Sequence, residues 1–293
     1  MTPFDLRKTP KAVGFCDQIR LTDVRDAYEA SVSAWANGPD AYYRRLGDAL
    51  VSAAAAARDL HGAAVLDVGA GTGAVSAAAF AAGAFSVVAV DLAFGMLRYD
   101  AGDRPAGAVA DTLALPFMGA SFDVVAAGCV LNHLPRPDHA LREMARVTGP
   151  GGCVLASTFG TTEAHPVKEQ VDRALATFGF RNPAWHDAMK RDIEPRTATP
   201  DGLLAAATAA GISVARVDTL VIDSGLRTAE DFVHWRLGMA STAPFFAGLD
   251  DRSRRGAFDA AVEAVGMSPP PFAPTLLVLV ATVVTPAPRP ATQ

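Results

Sequence analysis

Cysteine is scarce: only Cys16, Cys129 and Cys153 occur in 293 residues, far apart. They offer neither a metal-binding spacing nor the framework of a small disulfide-stapled domain, so the usage suits a reducing compartment. Charge is scarce too, at 19% of residues, against about 25% in an average soluble domain. The 26 basic residues are outnumbered by 31 acidic ones, giving a net charge of -5. They stand singly or in pairs such as Arg44/Arg45 and Arg254/Arg255. Nucleic acid and anionic membrane both need concentrated positive charge, so neither is an expected partner. No apolar run reaches the roughly 18 residues needed to cross a bilayer, and Met1 to Cys16 mixes charges with prolines where a secretory signal would have an apolar core. A cytoplasmic location is expected. His165, His186 and His234 stand alone, without an H-x-x-x-H or cysteine partner, so no metal site is expected.

What the chain has is apolar bulk, half of its residues, enough to bury one large core. Residues 1–20 show no sustained period and read as a loosely held arm. Val24, Tyr28, Val32 and Trp35 then recur at helical spacing until Gly38-Pro39, and a second helix is expected from Pro39 through Leu46 and Leu50 to Gly62. Residues 21–62 therefore read as a helical cap able to cover a ligand. From Ala63 short β-branched runs alternate with helical stretches: Val65–Val68, Ala74–Ala82, Val87–Val90, Ala93–Tyr99, Phe122–Ala127, Pro137–Val147 and Cys153–Ser157. That alternation implies βαβ units and a parallel sheet. Gly149-Pro-Gly-Gly152 reads as a helix stop before the next strand. Later come helices opened by Pro166 and by Thr199-Pro-Asp201, a strand over Val214–Ile222, and a capping-box start at Thr228-Ala-Glu-Asp231. A helix through Phe258 and Val265 and a buried strand from Pro274 to Val284 complete the pattern. Residues 285–293 read as a frayed tail. No repeat divides the chain, so 63–284 is expected to be one decorated α/β domain, with insertions at about 161–195 and 224–267.

The most informative segment is Val65-Leu-Asp67-Val-Gly69-Ala-Gly71-Thr-Gly73, an apolar strand running into three alternating glycines and then a helix. Glycine lets the backbone turn tightly and approach a ligand, and the exposed N–H groups at the helix start favour a polar or negative group. Gly69-x-Gly71-x-x-Ala74 also satisfies the dinucleotide fingerprint, so the loop alone leaves two cofactors open. The carboxylates separate them. Asp67 precedes the first glycine by two residues, Asp91 ends the second strand, and Asp111 stands where a third strand should end. They would repel a pyrophosphate and welcome the sulfonium and ammonium of S-adenosylmethionine (SAM).

With these residues in view, the chain resembles the class I, small-molecule SAM-dependent methyltransferases related to the ubiquinone and menaquinone C-methyltransferases. Five segments carry the resemblance in order. They are Val65–Gly73, Val88–Asp91, Ala110–Phe117, Ser121–Val125 with Leu131-Asn-His-Leu-Pro135, and Leu141–Gly152. Thr148 departs from the family pattern, far from the cofactor residues. The resemblance implies a Rossmann-like, seven-stranded, mostly parallel sheet with helices on both faces, the N-terminal helices and C-terminal insertions forming a lid. It implies that Asp67, Gly69, Ala70, Gly71 and Gly73 hold the methionine portion of SAM, that Asp91 accepts from the ribose hydroxyls, and that Asp111 and Thr112 meet the adenine. Leu92 and Met96 would sandwich the adenine ring, and Cys129 and Asn132 would close over the sulfonium.

Each assignment has a plainer rival. A single Asp at a strand end is as readily a helix cap; three in register favour a ligand. His133 is the candidate base, against a first-turn residue bonded to backbone. Tyr28, Trp35, Trp185 and Trp235 are the candidate acceptor-pocket residues, although aromatic residues at helical spacing usually pack in the core. The expected reaction is methyl transfer to an O, N or C atom of a mostly apolar small molecule, suggested by Phe178, Phe180, Trp185, Phe232, Trp235, Phe245 and Phe246 in the insertions. A homodimer is the expected assembly. Two other functions stay open: a SAM-fold protein that binds a metabolite or guides a cyclisation without methylating, and an NAD-linked oxidoreductase, which lacks the Tyr-x-x-x-Lys it would need.

Overall fold

The computed structural model describes residues 20–284 other than 56, 101, 103 and 162–164. The expected arm and tail fall almost wholly outside the described residues. Two helices open the fold, α1 (Leu21–Asn37) and α2 (Asp40–Ala54), broken by Gly38-Pro39 as the sequence suggests. β1 (Ala64–Val68), α3 (Ala74–Ala81), β2 (Ser86–Asp91), α4 (Phe94–Arg98), β3 (Ala106–Val109), β4 (Phe122–Gly128), α5 (Pro137–Val147) and β5 (Thr148–Phe159) follow. After β5 come α6 (Pro166–Ala176), α7 (Ala184–Asp192) and α8 (Pro200–Ala209), then β6 (Val214–Val221). The chain closes with α9 (Ala229–Gly238), α10 (Ala243–Ala247), α11 (Asp251–Val265) and β7 (Thr275–Thr282).

The seven strands form one sheet in the order β3-β2-β1-β4-β5-β7-β6. β1 to β5 run parallel, and β7 runs antiparallel to both β5 and β6. Chain order reverses at β1, whose neighbours are β2 and β4, and that switch point opens a crevice beyond the strands' C-terminal ends. Side chains alternate across the sheet with the two-residue period of a strand. Val65, Val124, Leu155 and Val278 pack with Leu46, Leu50 and Val75 on one face. Leu66, Val125, Val154 and Leu277 pack with Leu141, Met144 and Leu203 on the other. Both faces are covered, which is why the central strands read as unbroken apolar runs.

Several boundaries differ from the sequence reading. Gly149–Gly152 does not precede β5 but belongs to it. Pairing jumps from Phe122–Thr148 to Val124–Cys153, and Gly151 N–H donates to Val283 O while Val283 N–H donates to Gly152 O. The segment after β7 thus turns an apparent break into strand. β3 ends at Val109, two residues before Asp111, and α7 and α10 had no clear sequence signature. The box at Thr228 forms as expected, Thr228 Oγ1 accepting from Asp231 N–H and Asp231 Oδ2 from Thr228 N–H. No helix among the described residues is long and apolar enough to cross a membrane.

Candidate active site

The loop leaving β1 is shaped by left-handed backbone at Gly69 (φ 65°), Gly71 (φ 51°) and Gly73 (φ 91°). A side chain at Gly69 would also meet Val130, whose Cγ2 lies 2.4 Å from where a Cβ would stand. At Gly71 nothing lies within 4 Å of that position, so the open side of the loop faces space that a ligand can fill.

Two carboxylates hold this loop. Asp91, at the end of β2, accepts from Gly71 N–H through Oδ2 and from Ala93 N–H through Oδ1, both at 2.8 Å. Asp67 is fully buried behind the loop, and its Oδ2 accepts from Ser76 N–H at 2.9 Å and Ser76 Oγ–H at 2.6 Å, anchoring the first turn of α3. Its Oδ1 is buried without a partner. Burial raises the pKa of both acids, that of Asp67 to about 6, against the hydrogen bonds and the Arg104 charge that lower them. Asp111 is half-buried and its Oδ1 accepts from Leu113 N–H, a local turn, while Thr112 is buried beside it.

Arg104 carried no sequence signal. Its Nη2 donates to Gly71 O at 2.8 Å, and its guanidinium packs under Gly73, where a Cβ would come within 2.8 Å of Nη1. Nε and Nη1 are buried without partners, and the cation favours ionisation of Asp67 and Asp91. The N-terminal helices close over the opposite side. Thr72 Oγ1 donates to Asp40 of α2, and Gly95 N–H, in α4, donates to Glu29 of α1 at 2.9 and 3.0 Å.

Two cavities meet here. The first, about 150 Å³, is bounded by Gly69, Ala70, Gly71, Asp91, Leu92 and Met96, with Thr112, Cys129 and Trp35 also at its wall. The second, about 520 Å³, lies among α6, α7, α9 and the segment before β7, and Asn132, Trp185 and Trp235 line it. Tyr28, Tyr43 and His133 line both. Asn132, expected at the cofactor, therefore faces the second cavity, and Trp35, expected at the acceptor, faces the first. Asp67, Gly73 and Asp111 line neither. Of the seven aromatic residues noted in the insertions, only Trp185 and Trp235 reach the second cavity; Phe178, Phe180, Phe232, Phe245 and Phe246 pack into the core.

His133 ends a short 3₁₀ turn, Leu131–His133, just beyond β4. Its Nε2 is 3.3 Å from the Tyr28 hydroxyl, and its Nδ1 is 2.9 Å from Met189 Sδ. Burial, reinforced by Lys190, pushes its pKa down to about 4, so the ring is neutral near pH 7. A thioether has no proton to donate, so the contact with Met189 favours the proton on Nδ1 and a bare Nε2 facing the tyrosine O–H. Cys129 has a left-handed backbone (φ 56°), and burial raises its thiol to about 12. It is therefore a neutral wall residue and not a nucleophile.

Residues 66–156 match the methyltransferase domain family. The chain is 35% identical over 188 residues to a demethylmenaquinone methyltransferase of Renibacterium salmoninarum, covering 61% of this chain and 75% of that protein. The chain belongs to the class I SAM-dependent methyltransferases. A demethylmenaquinone methyltransferase of Mycobacterium bovis is 35% identical over 152 residues, 50% of this chain and 62% of the relative. Among solved structures, the methyltransferase in a complex with the Haloferax volcanii Trm112 activator superposes with a TM-score of 0.55 at 21% identity, covering 91% of this chain and all of that one. A methyltransferase from an antibiotic biosynthesis pathway of Anabaena variabilis gives 0.54 at 17% identity, over 78% and 96% of the two chains. These likenesses show the fold. The residues at the β1 loop fit SAM: two carboxylates, Asp67 and Asp91, against one neighbouring cation, Arg104, with an unpartnered Asp67 Oδ1 and an open glycine turn.

Proposed function

We propose that SAM occupies the first cavity and a largely apolar, ring-bearing acceptor the second, with methyl transfer across the wall formed by Tyr28, Tyr43 and His133. That shared wall is the observation that carries the reading. In this arrangement Asp91 receives the ribose hydroxyls, Leu92 and Met96 flank the adenine, Thr112 and Asp111 border its edge, and Asp67 with the loop carbonyls balances the ammonium. When bound, SAM supplies a methyl group already made electrophilic by its sulfonium, so the protein's tasks are alignment, exclusion of water and management of one proton.

His133 is the proton acceptor, acting through Tyr28. Burial holds the Tyr28 hydroxyl well above its usual pKa, so it stays protonated and donates to His133 Nε2 while its oxygen is free to receive a proton from the acceptor. The weakly basic, neutral imidazole accepts only as the methyl leaves. The helices α1, α2, α6, α7 and α9 serve as the lid over both cavities. The demethylmenaquinone relatives favour a ring as the site of methylation.

The test is release of S-adenosylhomocysteine from SAM with a panel of phenolic and quinol acceptors. Turnover with a methylated product supports the reading. Cofactor binding without any methylated product across the panel would favour a non-methylating SAM-fold protein.

A further inference from the structure

The second cavity is more charged than a purely apolar acceptor requires. Lys168 of α6, Lys190 of α7 and Arg236 of α9 line it, together with Glu169, Asp172 and Glu194. Two of the cations are matched. Arg236 Nε and Nη2 donate to the two Asp172 oxygens at 2.7 and 2.9 Å, and Lys190 Nζ lies 2.6 Å from Glu194 Oε1. Among the described residues Lys168 forms no ion pair, and the remaining carboxylate, Glu169, is exposed. Burial lowers the Lys168 pKa to about 8, with Lys190 and Arg236 adding repulsion against the opposing pull of Glu194 and Asp172. The same positive field reaches His186, whose pKa falls to about 3 through burial and then through Arg236, Lys190 and Lys168.

A second unmet donor stands in the same wall. Trp235 is 4% exposed and lines the cavity, yet its indole N–H is buried without an acceptor. Buried donors are ordinarily paired, and a half-buried ammonium without a counter-charge is costly. Phe159, Phe272 and Trp185 supply apolar surface around these groups.

We infer that the methyl acceptor carries a single carboxylate on an apolar, ring-bearing body, and that Lys168 receives that carboxylate. One uncommitted cation fits one negative charge, whereas a phosphate monoester would bring more charge than Lys168 neutralises. The inference rests on the second cavity being the acceptor site.

Fluorescence titration with 2-naphthoic acid and its neutral methyl ester, with S-adenosylhomocysteine present, tests it on the wild type, Lys168→Met and Lys168→Arg. The wild type is expected to bind the acid at least about tenfold tighter than the ester, a preference that Lys168→Met abolishes and Lys168→Arg retains. Equal affinity for acid and ester, acid binding that survives Lys168→Met, or failure of the acid to bind would overturn the inference. SAM is titrated in parallel. Probe failure in protein that holds SAM removes the carboxylate alone; failure of the wild type to bind SAM removes the methyltransferase reading beneath it.

Discussion

The Tyr28 hydroxyl lies 3.3 Å from His133 Nε2, on the wall common to both cavities. The two residues are 105 positions apart, joined because α1 folds back over the crevice at β1, where Glu29 caps α4. If this pair moves the acceptor's proton, Tyr28→Phe and His133→Asn each lower kcat by about 10² to 10⁴ for a phenolic or carbon-acid acceptor. Neither change touches Asp91 or the β1 loop, so SAM affinity is expected to stay near that of the wild type. Steady-state kinetics with calorimetry separates the two effects, and unchanged kcat in both variants would remove the proton role.

Asp67 gives a pH signature. Its folded pKa of about 6 lies above the ordinary 3.8, so the folded state favours the protonated acid. Its stabilising contribution is complete below about pH 4 and is lost as pH rises through 6, leaving a penalty on the order of 3 kcal/mol at pH 8. Asp67→Asn retains an acceptor for Ser76 and removes that penalty. It should be more stable than the wild type at pH 8 and similar at pH 4, while binding SAM more weakly. Denaturant titrations at the two pH values check this; an equal shift at both would contradict it.

Arg104 secures the loop from behind. Arg104→Met removes the bond to Gly71 O and the charge that favours ionised Asp67 and Asp91. SAM affinity should fall about tenfold, with a smaller change in acceptor KM, because Arg104 does not line the second cavity. Calorimetry showing undiminished SAM binding would reduce Arg104 to packing.

The Arg236–Asp172 pair links α9 to α6 with the arginine side chain only 3% exposed. Asp172→Ala strands that cation, an expected loss of about 3 to 5 kcal/mol. Replacing both, as Asp172→Leu with Arg236→Met, should recover most of it. A double variant no more stable than Asp172→Ala would show that the pair is not the cause.

The glycine loop and the two carboxylates that hold it were legible because they sit at strand ends, where Asp67, the glycines and Asp91 keep fixed spacing along the chain. β7 was legible from its unbroken apolar run. Arg104 was not, since it stands in a loop 33 residues beyond Gly71 and its role exists only once α4 turns the chain back. The β5 start was hidden because Gly149–Gly152 becomes strand through Val283, a partner more than 130 residues away. Composition showed that the insertions are aromatic but not which rings face inward, and five of the seven pack into the core. The charged lining of the second cavity was missed for the same reason: Lys168, Lys190 and Arg236 lie on three helices whose convergence no local pattern announces.

The most direct measurement is calorimetric titration of the wild type and Asp91→Ala with SAM and, separately, with NAD. SAM binding that Asp91→Ala weakens at least about tenfold, or 1.4 kcal/mol, with no NAD binding, is the expected result. Well-folded wild type that ignores SAM, or that prefers NAD, would contradict a SAM site at the β1 loop.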